Sequence, residues 1–158
     1  MPKTLNPLPD KAKKKSLPLL QSALCSAIDL QLCCKQAHWN IIGEEFISLH
    51  ELFDRVAHEV SDHVDLIAER IRQLGGVPDG RPATVVAGST LGEFPEGLLE
   101  DEEMVEALAT VVAKFAGQVL EALIKSAEAG DPSTSDLFTE ISRGIEKQLW
   151  FIEAHRED

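Results

Sequence analysis

The sequence contains little that would indicate a secreted or membrane-spanning protein. Its 158 residues include only three cysteines. Because their number is odd and Cys33 and Cys34 are adjacent, we expect them, together with Cys25, to be buried reduced thiols rather than a disulfide framework. Cys34 and His38 could share a zinc ion, but two ligands are too few. No apolar run approaches the roughly 18 residues that a membrane span needs. The N-terminus also lacks the apolar core of a signal peptide, so we expect a cytoplasmic protein with no membrane partner.

Strand-like alternation is also missing, and the apolar residues, 44% of the chain, recur with a helical period. We predict long helices over about 16–42, 45–74, 99–129 and 133–155. Ser16 would cap the first, and Ser133 with Asp136 would form the capping box of the last. The long connection after the second helix contains "ATVVAG", which could form a short helix. This pattern predicts an all-α four-helix bundle with a long crossover.

Positive charge is concentrated in the first 15 residues. The whole chain carries a net charge of −12, whereas five lysines and one aspartate give residues 1–15 a charge of +4, which leaves −16 for the remainder. Three prolines lie in the same stretch, so we predict a flexible tail followed by one folded domain over 16–158. An acidic body attracts cations, whereas a mobile basic tail could attract nucleic acid. The tail lysines are Lys3, Lys11, Lys13, Lys14 and Lys15.

The second helical segment carries a polar stripe of unusual composition. On a helical wheel with His50 at zero, the stripe covers about 0° to 120°, and the large apolar residues fall between about 200° and 320°. The stripe therefore faces away from the bundle's own core. A solvated face usually consists of Lys and Glu, whereas this one uses His and Asp, which are weaker helix formers. We interpret it as a metal-binding face, with a solvated face laced by ion pairs as the alternative. Its members are His50, Asp54, His58, Asp62, Asp65 and Glu69.

Two pairs on this stripe are spaced one helical turn apart, and each could bind one ion. They are His50 with Asp54, and Asp65 with Glu69. Asp54 and Asp65 are separated by roughly 16 Å along the helix axis, whereas metal–ligand bonds are only about 2 to 2.6 Å long. One chain therefore cannot bring both pairs to the same ion. A second copy of the helix, antiparallel about a two-fold axis, would do so and would create two equivalent sites. The spacing therefore suggests a metal site between two subunits.

Three stretches of the chain resemble the Dps family, the starvation-induced mini-ferritins. They are Lys35–Asp54 ("KQAHWNIIGEEFISLHELFD"), Asp62–Gly76 ("DHVDLIAERIRQLGG") and Leu149–His155 ("LWFIEAH"). The shared motif is His-Trp, then His-x-x-x-Asp, then Asp-x-x-x-Glu at matching separations. The resemblance runs from about residue 17 to 155 and implies a ferritin-like bundle assembled into a hollow dodecamer, with ferroxidase sites between subunits. The ligands that it implies are His38, His50 and Asp54 of one subunit and Asp65 and Glu69 of its neighbour.

The resemblance also implies an activity. Members of the family oxidise Fe(II) with hydrogen peroxide, less readily with dioxygen, and store ferric mineral in their cavity. Each site would hold two irons, and its imidazole and carboxylate ligands would also suit Mn(II) or Zn(II). Trp39 would either pack at the interface or act as a redox-active neighbour of the site. We interpret His58, Asp62 and His63 as interface groups or groups that orient the ligands, and His58 could also extend the site. The chain has no E-x-x-H pair, the motif that ordinary di-iron bundles carry in their core.

Two further functions are implied by the resemblance alone. The start of the family's last helix lines acidic pores for iron entry, which here corresponds to Asp131, Asp136 and Glu140, although the first two could simply serve the positive helix end. Lysine-rich N-terminal tails in the family often bind DNA, and twelve tails could act together. Two rival hypotheses stay open. One is a nucleoid-associated protein that condenses DNA with minor iron chemistry, and the other is a helical scaffold that uses interface zinc only for assembly.

Overall fold

Five α-helices and one short pair of parallel strands make up residues 4–156, the part of the chain that this computed structural model describes. The elements in chain order are α1 (Asp10–Asn40), β1 (Ile41–Ile42), α2 (Phe46–Gln73), α3 (Pro82–Gly88), β2 (Leu99–Glu100), α4 (Asp101–Glu128) and α5 (Pro132–Glu153). The strands pair Ile41 with Leu99 and Ile42 with Glu100. This pairing was not predicted, because two residues are too few to show an alternating pattern.

The helices α1, α2, α4 and α5 pack around one apolar core. Its largest fully buried side chains include Phe53 from α2, Phe115 from α4 and Phe138 from α5. Burying a side chain of this kind contributes about 1.5–3 kcal/mol to folding, so the apolar stripes of the helices drive the assembly of the bundle. The predicted all-α four-helix bundle is therefore confirmed.

The long connection after α2 carries the chain back across α1 before α4 begins. Gly75 has a φ of 82° and ends α2 in a conformation that favours glycine. Next, α3 packs on α1, with Val85 buried. A Cβ atom at Gly88 would lie 2.9 Å from Cys25 Sγ, so the two helices approach closely there. The short helix predicted from "ATVVAG" is confirmed.

The three cysteines are free and buried, as predicted. Burial raises the pKa of Cys33 to about 12, with the nearby Asp29 carboxylate adding to the effect. Burial likewise raises the pKa of Cys34. Because the thiolate is the reactive form, these two side chains act as small apolar packing groups.

The predicted flexible tail over 1–15 is wrong for its last six residues, because α1 begins at Asp10 rather than at Ser16. Pro9 precedes the helix with a φ of −57°, which suits a helix start. Lys13 is buried along its stem, and its ammonium group donates to Asn6 O at 2.9 Å. Ser16 is buried inside the helix and caps nothing. The folded unit therefore includes residues 10–15 in addition to the predicted domain over 16–158. Lys3, the remaining lysine of the predicted tail, lies outside the described residues.

The start of α5 also differs from the prediction, since Asp131 rather than Ser133 is its N-cap. The Thr134 N–H donates to Asp131 Oδ1 at 3.0 Å, and Arg70 Nη2 donates to the same oxygen at 2.9 Å. Asp131 has no exposed surface. Assigning Asp131 to a pore lining is therefore wrong, because its carboxylate is consumed in a buried contact that ties α2 to α5.

Two helices of the described part, α1 and α4, are long and apolar enough to cross a membrane by length and composition alone. The sequence analysis did not predict them, because polar residues interrupt their apolar runs. Half of the most apolar stretch of α1 and 39% of that of α4 are buried inside the bundle. Core helices of bundles satisfy the same criterion, so the two helices are weak support for a membrane protein.

Candidate metal centre

His38 and His50 form a reciprocal pair where α1 ends and α2 begins. His38 Nδ1 lies 2.7 Å from His50 O, and His50 Nδ1 lies 2.7 Å from His38 O. Their rings stack with centroids 3.7 Å apart. Because a carbonyl oxygen can only accept, each Nδ1 carries a hydrogen and donates it. In the neutral rings both Nε2 lone pairs are therefore available to a metal ion.

The turn between α1 and α2, which sets the position of this pair, is held by the first residue of α4. Glu45 N–H donates to Asp101 Oδ2 at 3.0 Å. Gly43 has a φ of 134°, and a Cβ atom there would collide with the Asp101 carboxylate. The β1–β2 pairing joins the same two regions. Sequence analysis missed Asp101 because a contact between residues 56 positions apart leaves no local signal.

Asp54 lies one turn beyond His50 on α2 and is paired with Lys35. Lys35 Nζ is 2.6 Å from Asp54 Oδ1. This hydrogen bond from Lys35 is the main reason that the pKa of Asp54 is lowered. His58 Nδ1 donates to Asp54 O at 2.8 Å, and its side chain is 77% exposed. Lys35 was missed in the sequence, although its position one turn before His38 on α1 could have indicated it.

Asp65 and Glu69 lie on the exposed face of α2, farther along the helix. Neither side chain makes a hydrogen bond or ion pair with another side chain in the described part of the chain. The structure therefore brings His38 and His50 together, places Asp54 one turn farther along α2, and leaves Asp65 and Glu69 apart from them. Within residues 4–156 no group of three or more His, Cys, Asp or Glu side chains is placed to hold a metal.

Exposed apolar and aromatic side chains lie beside the histidine pair. The Phe46 ring is 5.0 Å from the His50 ring, and Lys35 Nζ lies 5.7 Å from the centre of the Trp39 ring. Trp39 and Ile47 are each 63% exposed. Exposed apolar groups with a polar centre are typical of an interaction surface. Trp39 therefore lies on this exposed surface and also directly beside the histidine pair, so both predicted roles stay open.

The remaining predicted site residues divide into exposed and buried groups. The prediction that His63 orients the ligands is wrong, because it is only 6% exposed and faces α5. Asp62, Asp136 and Glu140 are exposed, as a ligand-orienting or pore role requires, but no contact tests those roles. Of the lysines predicted to bind DNA, Lys11, Lys14 and Lys15 are exposed.

Comparisons with known proteins agree with this architecture. A family model described as a ferritin-like domain matches residues 17–158. The DNA protection during starvation protein of Agrobacterium fabrum is 41% identical over 156 residues, which are 99% of this chain and 96% of that protein. DNA protection during starvation protein 2 of Deinococcus radiodurans is 38% identical over 141 residues, 89% of this chain but only 58% of that longer protein.

A solved structure of Dps from Mycobacterium smegmatis, in its tetragonal crystal form, superposes with a TM-score of 0.93 at 30% sequence identity. The match covers 99% of this chain and 95% of that one. Sequence and fold thus agree along almost the whole length, and the chain belongs to the Dps family of ferritin-like proteins.

Proposed function

We propose that this protein is a ferroxidase and iron-storage subunit of a hollow homo-oligomer, for which family membership suggests twelve copies. It would oxidise Fe(II) with hydrogen peroxide, less readily with dioxygen, at sites shared between two copies, and it would store the ferric mineral inside. It would thereby protect the cell and its DNA from oxidative damage. We place it in the cytoplasm, where its buried thiols would stay reduced.

The proposal rests on the reciprocal His38–His50 pair. Two hydrogen bonds orient the imidazoles and keep both Nε2 atoms unprotonated in the neutral rings. The Asp54 carboxylate follows one turn later on the same helix. Imidazole nitrogen and carboxylate oxygen suit Fe(II), and also Mn(II) and Zn(II) as substitutes. Carboxylates remain good ligands when the iron becomes ferric, so this half of the site tolerates the oxidised product.

The second half of the site would come from a second copy of the chain. Asp65 lies roughly 16 Å from Asp54 along α2, too far for a shared ion, and with Glu69 it is exposed and unpaired within the described residues. An antiparallel α2 from a two-fold-related copy would bring Asp65 and Glu69 opposite His50 and Asp54. The apolar surface around Trp39 and Phe46 supports this arrangement, because it would be covered by the same contact.

Two Fe(II) ions bound together as substrate would supply the electrons that peroxide requires. Each iron would give up one electron. With these two electrons and two protons from solvent, the O–O bond of peroxide would break and yield two water molecules. Free hydroxyl radical, which forms when peroxide receives only one electron, is thereby avoided. Lys35 would compete with iron for Asp54, because its ammonium group occupies one of the two carboxylate oxygens.

Anaerobic addition of Fe(II) and peroxide to the assembled protein tests the proposal. We expect iron to co-elute with the oligomer as a ferric core, and Asp65→Ala to lose this activity. Glu128→Ala, which removes an exposed carboxylate from α4 instead, is the matched control and should retain it. Intact oligomers of the unmodified protein that hold no iron would contradict the proposal. The zinc content and the size of the oligomer, measured before and after chelation, would show whether zinc is bound only to hold the subunits together.

DNA binding is the second candidate function, supported by the exposed Lys11, Lys14 and Lys15 on the first turns of α1. The relatives named above as DNA protection proteins are consistent with it. Removing residues 1–15 would also remove part of α1, so charge reversal of these three lysines to Glu is the cleaner test. We expect the triple variant to abolish a gel shift at low salt. A shift of unchanged strength would exclude this segment from DNA binding.

A further inference from the structure

A second polar cluster lies between α2 and α5, inside a single subunit. Glu59 and His63 are one turn apart on α2, and they face Gly144 and Gln148 on α5. His63 is 6% exposed and Gln148 is 2% exposed. None of these four residues belongs to the candidate metal centre described above, and none is required by the proposed iron chemistry.

Buried polar atoms of this cluster have no hydrogen-bond partner within the described residues. They are both ring nitrogens of His63 and the carbonyl oxygen of Gln148. The Gln148 amide donates to Glu59 Oε2, which holds the carboxylate in place. Buried polar atoms in proteins are rarely left without a hydrogen-bond partner, so three such atoms at one place are a strong departure from ordinary packing.

Gly144 shows that two of the side chains converge on one point. A Cβ atom on this glycine would lie 2.6 Å from Glu59 Oε1 and 3.0 Å from His63 Nε2. The two atoms are 3.9 Å apart, too far for a hydrogen bond. That separation is less than twice a Zn–N or Zn–O bond of about 2.0–2.2 Å, so one ion can bind both.

The electrostatics of the cluster favour a cation. The carboxylates of Glu59, Asp62 and Glu140 all act on His63. An imidazole with nearby carboxylates is a combination typical of sites for divalent transition metals.

We propose that Glu59 and His63 bind one divalent first-row transition-metal ion within each subunit. Solvent, which reaches the 30% exposed Glu59 side chain, completes the coordination. Gly144 makes room for the site, which explains a residue type that is otherwise unfavourable within a helix. Unlike the proposed ferroxidase site, this one needs no second copy of the chain.

Titration of the full-length His50→Ala/Asp65→Ala variant with Co(II) tests the proposal, because that background removes a ligand from each half of the proposed intersubunit site. We expect about one Co(II) per chain, with visible absorption bands from nitrogen and oxygen ligands. Adding His63→Gln should weaken the binding by about tenfold or more. Adding His155→Gln instead, at a histidine that follows α5 and pairs with Glu45, is the matched control and should leave it unchanged.

Gly144→Ala supplies an independent variant. It should strengthen α5 as a helix and yet reduce Co(II) affinity by a similar factor, because the new methyl group displaces Glu59 and His63. Equal affinity in His63→Gln, Gly144→Ala and the background would overturn the proposal. Crystals of the unmodified protein soaked in Zn(II) need no variant. An anomalous peak between Glu59 and His63 supports the site, and an ordered water there without anomalous signal overturns it.

Discussion

Complementation between two inactive variants is the sharpest consequence of a site shared by two chains. His50→Ala removes a ligand from the half-site at the α1–α2 turn, and Asp65→Ala removes one from the half-site farther along α2. Each homo-oligomer should lose peroxide-dependent Fe(II) oxidation. After dissociation and random reassembly at equal amounts, about a quarter of the sites should combine two intact halves, since each half is intact with a probability of about one half.

The assay is stopped-flow Fe(II) oxidation by peroxide, normalised to oligomer concentration, with mixing verified by mass spectrometry of differently labelled subunits. His50→Ala mixed with His38→Ala is the matched control. Both substitutions damage the same half-site, so no arrangement of these chains can restore an intact one. The mixture of His50→Ala and Asp65→Ala should therefore oxidise Fe(II) faster than this control. If both mixtures oxidise Fe(II) equally slowly although their subunits have mixed, the ligands are not shared between chains.

Three other predictions concern single residues. Lys35→Met removes the ammonium group that competes with iron for Asp54. Anaerobic titration should therefore show Fe(II) binding about two- to fivefold tighter, the range expected for a partly exposed ion pair. Weaker Fe(II) binding would contradict this competition. Arg70→Met leaves the buried Asp131 unpaired and should lower the free energy of unfolding in urea by about 3–5 kcal/mol. Although burial opposes it, the pKa of Asp131 is held below its usual range by its hydrogen bonds and by Arg70. Its stabilising effect is therefore present above the unfolded pKa of about 3.9 and is lost as pH falls through the lower folded value, so Arg70→Met should show acid unfolding at higher pH. Asp136→Asn should slow iron uptake into the oligomer without changing the oxidation rate of the first irons bound, and an unchanged uptake rate would remove Asp136 from the pore hypothesis.

The helical period was sufficient to predict most of the fold. Apolar residues recurring along four segments, with glycine and proline at their breaks, predicted four helices that must bury one face each. The beginning of α1 differs from the prediction, because a stretch rich in lysine and proline is typical of a flexible segment. In the structure the stem of Lys13 is buried and its ammonium group has a backbone partner, which composition cannot reveal.

The sequence by itself determined that His50 and Asp54 cannot share an ion with Asp65 and Glu69 of the same chain, because the rise per residue of a helix sets their separation. Only the tertiary structure decided which nitrogens of His38 and His50 are available, that Lys35 occupies Asp54, and that His63 turns inward toward Gly144. The physical reason is that spacing along one helix is a local property. Side-chain orientation, by contrast, depends on what the neighbouring helices place within hydrogen-bonding distance.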